Sequence, residues 1–408
     1  MTTITAVHAE ETLDSRGKPT VRAIVMCGEH AGSFAVPSGA STGSTEAVEL
    51  RDADGHVSAA VCAVNEAIAP ALLGQDAADQ RAIDDALLAL DGTEQKSKLG
   101  GNAMIGVSIA VAKAAAAAQG LETHAHLRAL ASSAWHISAS RPVPYLYMNY
   151  INGGKHASSP LSFQEHIIVP QAESIPEAMA LAGAVDDALR MRIADTYGTE
   201  ILDTMGDEGG YVIPETHYDT PFSLLADAIR ESGNEGRVRI ASDIAASSFL
   251  QDGAYAMADA TRSAADMHLL YADLIARFDI LSLEDPFEEH AGEEYARLQA
   301  AFPDTRIVGD DLTTTAATRI EGAAQAGAIR AVIVKPNQVG TLSETLDAMQ
   351  AARTHGIDCI VSHRSGETMD DFIADLAFAT GAFGLKAGSL RKRERVAKYE
   401  RLAAISQV

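Results

Sequence analysis

Cysteine is nearly absent from this sequence. Three thiols, Cys27, Cys62 and Cys359, lie far apart with no C-x-x-C pairing. That argues against a disulfide framework or a zinc site and fits a reducing, cytoplasmic setting. Positive charge is scarce too: 32 Lys and Arg face 56 Asp and Glu, a formal net charge of −24. Such a field repels nucleic acid and anionic membranes, so neither is expected as a partner. An anionic ligand would need a locally positive site, which bound metal supplies. The opening residues Met1 to His8 show no basic stretch leading into an apolar one, so no secretion signal is expected. The most apolar run, Ala103 to Ala118, is short, Ala-rich and interrupted by Lys113. It reads as a buried helix rather than a membrane span.

What is present is a globular composition, 47% hydrophobic and 22% charged over 408 residues. That length accommodates two domains, one of them a barrel of roughly 250 residues. From Ile4 to Met26, β-branched positions flank a Gly17–Pro19 turn, which predicts a hairpin. Pro37 to Thr45 is rich in Gly, Ser and Thr and reads as a mobile loop; it lacks the lysine of a P-loop. Ala59 to His126 is helical in pattern. These features predict a small α+β domain over residues 1–130 and a Ser/Pro-containing linker over 131–144. An α/β barrel is then expected over 145–408.

In that second part, short Val/Ile-rich runs alternate with helical stretches. The runs are Val238–Ile240, Ile280–Leu283, Ile307–Val308, Val332–Val334 and Cys359–Val361. Between them lie Ala265–Phe278, Glu293–Phe302 and Thr341–His355, the last opening on a Thr341/Glu344 capping box. Runs buried on both faces and separated by helices predict a parallel sheet. A closed barrel is favoured, with an open doubly wound sheet as the alternative.

Each run ends in a reactive residue: Asp243, Glu284, Asp310 with Asp311, Lys335, and His363-Arg-Ser365. In a parallel barrel these strand ends meet on one face, where active sites form. Three carboxylates without Cys or His make a hard oxygen site suited to magnesium. Alone, each acid would pass for a helix cap or a surface ion pair; together at matched strand ends they point to a metal. Lys335 emerges from an apolar run, and a desolvated lysine near other cations has a lowered pKa and can act as a base. The bland alternative is a salt bridge to the metal-binding acids. Lys386, in Phe383-Gly-Leu-Lys-Ala-Gly388, has a similar placement. His166 and His217 have no partner spacing and read as structural or surface residues.

Nine blocks, in order, carry a resemblance to a known family. They are Leu13-Asp-Ser-Arg-Gly17, Val36-Pro-Ser-Gly-Ala-Ser-Thr-Gly43, Asn152-Gly-Gly-Lys-His156, Gln164-Glu165, Gly206-Asp-Glu-Gly-Gly210, Leu283-Glu-Asp-Pro-Phe287, Gly309-Asp-Asp-Leu312, Lys335-Pro-Asn-Gln-Val-Gly-Thr341 and Ser362-His-Arg-Ser-Gly-Glu-Thr368. The chain resembles enolase over nearly its whole length. The resemblance implies a small N-terminal α+β domain followed by an enolase-type (β/α)8 barrel. It also implies dehydration of 2-phosphoglycerate to phosphoenolpyruvate through an enolate, with two magnesium ions. By that resemblance Asp243, Glu284 and Asp310 hold the first ion, and Ser41 on the mobile loop helps carry the second. Lys335 removes the proton beside the substrate carboxylate, and Glu208, with Glu165 beside it, protonates the departing hydroxyl. Lys386 neutralises carboxylate charge, Arg364 and Ser365 bind phosphate, and His156, His363 and Gln164 line the pocket. Five acids then face three cations, so metal-free the pocket repels its substrate. A homodimer or higher homo-oligomer through the N-terminal domain is expected, although Lys18 stands where Asn is usual.

The sequence departs from the family pattern around this set. Asp54-Gly-His-Val-Ser58 is a shorter path than usual, Pro160 is unusual, and His166 stands for Phe and Ser248 for an acid. Beyond Lys386, Ala387-Gly-Ser-Leu390 replaces Thr-Gly-Ala-Pro and leads into Arg391-Lys-Arg-Glu-Arg395. Arg391 and Arg393 fit either a second phosphorylated or nucleotide-bearing substrate or a solvated helix start. The drift admits two alternatives to a glycolytic enolase. One is a specialised paralogue, such as a carboxyphosphonoenolpyruvate synthase of phosphinate pathways; the other is a non-catalytic binding protein on the same fold.

Overall fold

Alternation of buried and exposed side chains organises the first part of the chain. In the computed structural model, which describes residues 1–40, 43–137 and 141–407, β1 (Ala6–Leu13) and β2 (Pro19–Cys27) form the expected antiparallel hairpin. Gly17 turns it with φ 74°. β3 (His30–Ala35) completes a three-stranded sheet. The apolar helix Gly101–Ala118 packs against this sheet and is 83% buried, the setting expected for a core helix. Its approach is close: a Cβ on Gly32 would lie 2.1 Å from the Ala110 carbonyl oxygen, so only glycine fits there.

The second part is a closed eight-stranded barrel. Its strands begin with β4 (Tyr145–Asn152), β5 (Glu165–Pro170) and β6 (Val238–Asp243). A small outer sheet of β7 (Leu250–Gln251), β8 (Ala254–Ala256) and β9 (Thr261–Arg262) follows. The barrel resumes with β10 (Ile280–Glu284), β11 (Arg306–Gly309), β12 (Ala331–Val334), β13 (Asp358–Ser362) and β14 (Gly384–Lys386). Pairing of β14 with β4 closes the ring. Side chains from every quarter fill the interior, among them Tyr147, Ile167, Leu281, Ile333 and Phe383, so the barrel is packed and has no pore.

The five runs from Val238 to Val361 pair in parallel as expected, and the one reversal in the barrel lies before them. β5 runs antiparallel to both β4 and β6. The β4–β5 connection holds only a short 3₁₀ turn, Gly154–His156, too little for the crossover a parallel return requires. One consequence is functional. The first residue of β5, Glu165, stands opposite Asn152 and Asp243, the last residues of its neighbours. Reversal of one strand thus brings an N-terminal residue to the mouth where the others deliver C-terminal ones.

The segment read as a linker is anchored where it is described. Trp135 and Ile137 are buried, and Trp135 Nε1 donates to Asp347 at 2.7 Å. Ser138 and Ser140 lie outside the described residues.

Candidate active site

The barrel mouth gathers the residues that the strand ends predicted. Asp243 and Glu284 end β6 and β10, Asp310 and Lys335 directly follow β11 and β12, His363 follows β13, and Lys386 ends β14. With Gln164, Glu165, Glu208, His156, Arg364 and Ser365, all but Glu284 line one open-mouthed pocket, and Glu284 sits behind it on Lys386. Ser41, assigned to a metal, lies outside the described residues.

Lys386 is the hub of one side. Its Nζ lies 2.8 Å and 2.9 Å from the two Glu284 oxygens and 3.2 Å from both Asp243 Oδ2 and Glu165 Oε1. Burial alone would lower its pKa, but these carboxylates outweigh it and hold the ammonium well above the usual lysine range. Burial, with Asp243 adding to it, pushes Glu284 well up despite Lys386. Lys335 contacts Asp310. Burial would lower its pKa, yet Asp310 prevails and raises it, which reverses the lowered value expected for a desolvated lysine among cations. Its proton is held by the acid beside it. Gln338 Nε2 donates to the other Asp310 oxygen at 3.1 Å, and Gln164 Nε2 to Asp243 at 3.2 Å.

The other side is a buried carboxylate pair. His156 Nδ1 lies 3.5 Å from Glu165 and 3.4 Å from Glu208. Burial and the neighbouring Glu208 push Glu165 well up. Burial would raise Glu208 too, but His363, His156 and Arg395 outweigh it and keep the carboxyl well below its ordinary range. Their surroundings thus push the two acids in opposite directions, Glu165 up and Glu208 down. Asn149 Nδ2 donates to Glu208 at 2.9 Å.

Three residues at this site escaped the sequence reading. Arg395 Nη1 donates to His363 Nδ1 at 2.7 Å. A guanidinium only donates, so His363 Nδ1 accepts, and the ring proton sits on Nε2, 3.1 Å from Glu208. Asp285, at φ 41°, accepts from the backbone N–H groups of Asp310 at 2.9 Å and Asp311 at 2.7 Å. Glu46 pairs with Arg364 at 2.9 Å. None had a visible signal: each acts across a long sequence separation on a partner with no fixed spacing.

The basic segment is also corrected. Arg395 is fully buried, and Arg391 lies 3.7 Å over the Tyr211 ring, paired with Asp186; only Arg393 is an exposed helix start. Neither Arg391 nor Arg395 is free for a second substrate. His166 is fully buried, its Nδ1 3.2 Å from the Ile151 carbonyl, and His217 is exposed against Asp219.

The donor set suits a divalent cation. Asp243, Glu284 and Glu165 crowd one ammonium, one Glu165 oxygen is buried without a partner, and burial beside Asp310 pushes Asp311 up to about 7. The mouth therefore gathers more carboxyl oxygens than its lysines can satisfy, the chemistry of a hard ion such as magnesium.

Comparison with known proteins points to one family. Residues 4–127 match the family described as Enolase, N-terminal domain, and residues 138–407 match Enolase, C-terminal TIM barrel domain. The enolase of Methanothrix thermoacetophila is 43% identical over 99% of this chain and 96% of its own length. The enolases of Methanococcoides burtonii and Aeropyrum pernix are 41% and 42% identical, again over 99% of this chain and 95% and 94% of theirs.

Proposed function

The chain belongs to the enolase family, and on that footing we propose that its pocket dehydrates 2-phosphoglycerate to phosphoenolpyruvate as an enolase-type hydro-lyase. The observation that carries the reading is the meeting of a lysine, Lys335, and two buried carboxyls flanking His156, Glu165 and Glu208, in one pocket rich in oxygen donors. Relatives bearing the name enolase over their whole length favour this over a phosphonate-pathway paralogue or a non-catalytic protein.

The proton at C2 is only weakly acidic, because its removal places a second negative charge beside the carboxylate. Asp243, Glu284 and Asp310 would hold one magnesium ion, and Ser41 would help hold a second. Cations held there would supply positive charge where the enolate gathers its own and would favour the neutral Lys335 amine. Lys335 Nζ takes the C2 proton. Lys386 adds fixed positive charge at the same carboxylate. Glu208, with Glu165 beside it, gives a proton to the C3 hydroxyl as it leaves as water. Arg364 and Ser365 orient the phosphate, while His156, His363 and Gln164 hold the acids in place. The same reading makes the chain a cytoplasmic enzyme that works as a homodimer or higher homo-oligomer.

The test is phosphoenolpyruvate formation by purified protein with magnesium and with chelator. Turnover on the order of 10 s⁻¹ is expected, the usual enzyme range, and chelator should abolish it. Lys335→Ala should cost about 10²–10⁴-fold. Magnesium binding with negligible turnover, or a Lys335→Ala variant of near-normal rate, would overturn the assignment.

A further inference from the structure

Glu208 sits in Gly206-Asp-Glu-Gly-Gly210, a stretch whose glycines leave the backbone free to move. Yet a group that protonates a leaving hydroxyl must be held to within about half an ångström. The N–H side of the stretch is fixed by the barrel: Asp207 N donates to the His156 carbonyl at 3.0 Å, and Gly210 N to Asn152 Oδ1 at 2.9 Å.

The carbonyl side is fixed from elsewhere, by the segment that departs from the family pattern. Ser389 N donates to the Glu208 carbonyl at 3.0 Å. Ser389 Oγ and Arg391 Nη1 both donate to the Gly209 carbonyl at 2.9 Å. Lys392 Nζ and Arg395 Nη2 both donate to the Asp207 carbonyl at 3.1 Å. Five donors from one short segment thus close on three consecutive carbonyls. Contact is tight enough that a Cβ on Gly388 would lie 2.8 Å from the Glu208 carbonyl oxygen.

Arg391 is itself braced. Its guanidinium lies between the Tyr211 ring, 3.7 Å away, and the Tyr150 ring, at 5.2 Å, and pairs with Asp186 on the helix Ile175–Tyr197. The helix is packed on β5, whose first residue is Glu165. The clamp therefore ties the loop of one acid to the element behind the other.

We propose that Ser389–Arg395 is a carbonyl clamp for the loop of Glu208, with Arg391 and Ser389 as positioning residues that hold this acid for leaving-group protonation. The inference rests on the reading of Glu208 as that acid. It separates two events that a general structural role would not: proton removal at C2 by Lys335, and departure of the C3 hydroxyl.

The experiment measures deuterium washout from C2 of 2-phosphoglycerate alongside phosphoenolpyruvate formation, in the magnesium-loaded enzyme. Arg391→Met keeps the apolar stem over Tyr211 and removes the donor. It should lower kcat for product about 10–100-fold, with KM within about threefold and C2 exchange nearly unchanged. Arg391→Lys, which can reach the Gly209 carbonyl with one donor, should restore most of the loss. Ser389→Ala, a smaller lesion, should show the same split to a lesser degree and serves if Arg391→Met fails to fold. Product formation at the parental rate in both variants overturns the clamp, as does an equal fall in exchange and product. Glu208→Gln distinguishes the layers. If it still forms product, the acid assignment itself falls; if it loses product while Arg391→Met does not, only the clamp falls.

Discussion

At the level of single residues, burial decides which groups titrate. Burial pushes the pKa of His166 down to about 4 from its ordinary 6.5. The unfolded chain therefore binds a proton that the folded one refuses, and stability falls as pH drops from about 6.5 towards 4. Near pH 5 the penalty is about 2 kcal/mol for this residue. His166 packs between Phe163 and Phe222 with no acid against it, so phenylalanine suits the space. His166→Phe should narrow the stability gap between pH 8 and pH 5 by about that amount in denaturant titrations. An unchanged gap would show that this histidine is protonated in the fold. Asp243, Glu284, Asp310 and Lys335 were legible because each stands within three residues of the end of an apolar run. Arg395 and Asp285 were not, because their partners are chosen by folding and not by spacing.

Among the elements, the β10 and β11 ends are joined by a staple. Glu284 ends β10 and enters the pocket environment; the next residue, Asp285, turns with φ 41° and aims its carboxylate at the start of the β11 loop. Burial and the nearby Asp311 and Asp310 push its pKa well up, yet two backbone N–H groups and the Tyr295 hydroxyl, 3.0 Å away, hold it in place. An amide offers one acceptor where the carboxylate offers two. Asp285→Asn should therefore loosen Asp310 and weaken magnesium binding about 10–100-fold, the usual effect of losing a group that orients a ligand. Calorimetric titration with magnesium checks this, and parental affinity would refute it. The elements themselves were legible where a helix capping box or a Val/Ile run announced them. The helix Leu342–Thr354 starts on Thr341, whose side chain accepts from Glu344 N at 3.1 Å. β5 was not legible as antiparallel, because a run buried on both faces carries no sign of direction.

For the whole molecule, the question is what joins the N-terminal helices to the barrel. Asp84, on the helix Gln80–Asp91, is completely buried, and burial raises its pKa. It accepts from Ser343 N at 2.8 Å, at the start of the barrel helix Leu342–Thr354, and from Ser108 Oγ at 2.6 Å. Arg81 with Asp347 and Lys96 with Glu344 flank it across the same boundary. Asp84→Ala leaves several buried donors unpaired and should cost on the order of 3 kcal/mol. Differential scanning calorimetry should show an earlier transition; a melting temperature within a degree of the parent would exclude the latch.

Local chemistry in the sequence was enough to announce strands, helix starts and the reactive strand ends, because propensity, capping and burial pattern act over a few neighbouring residues. It could not announce which strands meet where the barrel closes, β14 on β4, the reversal of β5 that brings Glu165 to Asp243, or the seating of Arg391 and Arg395 behind the loop of Glu208. Those depend on which distant surfaces meet once the core is packed. Charge along a chain does not reveal whether an arginine will face water or stack against a tyrosine; burial does, and burial exists only in the folded molecule.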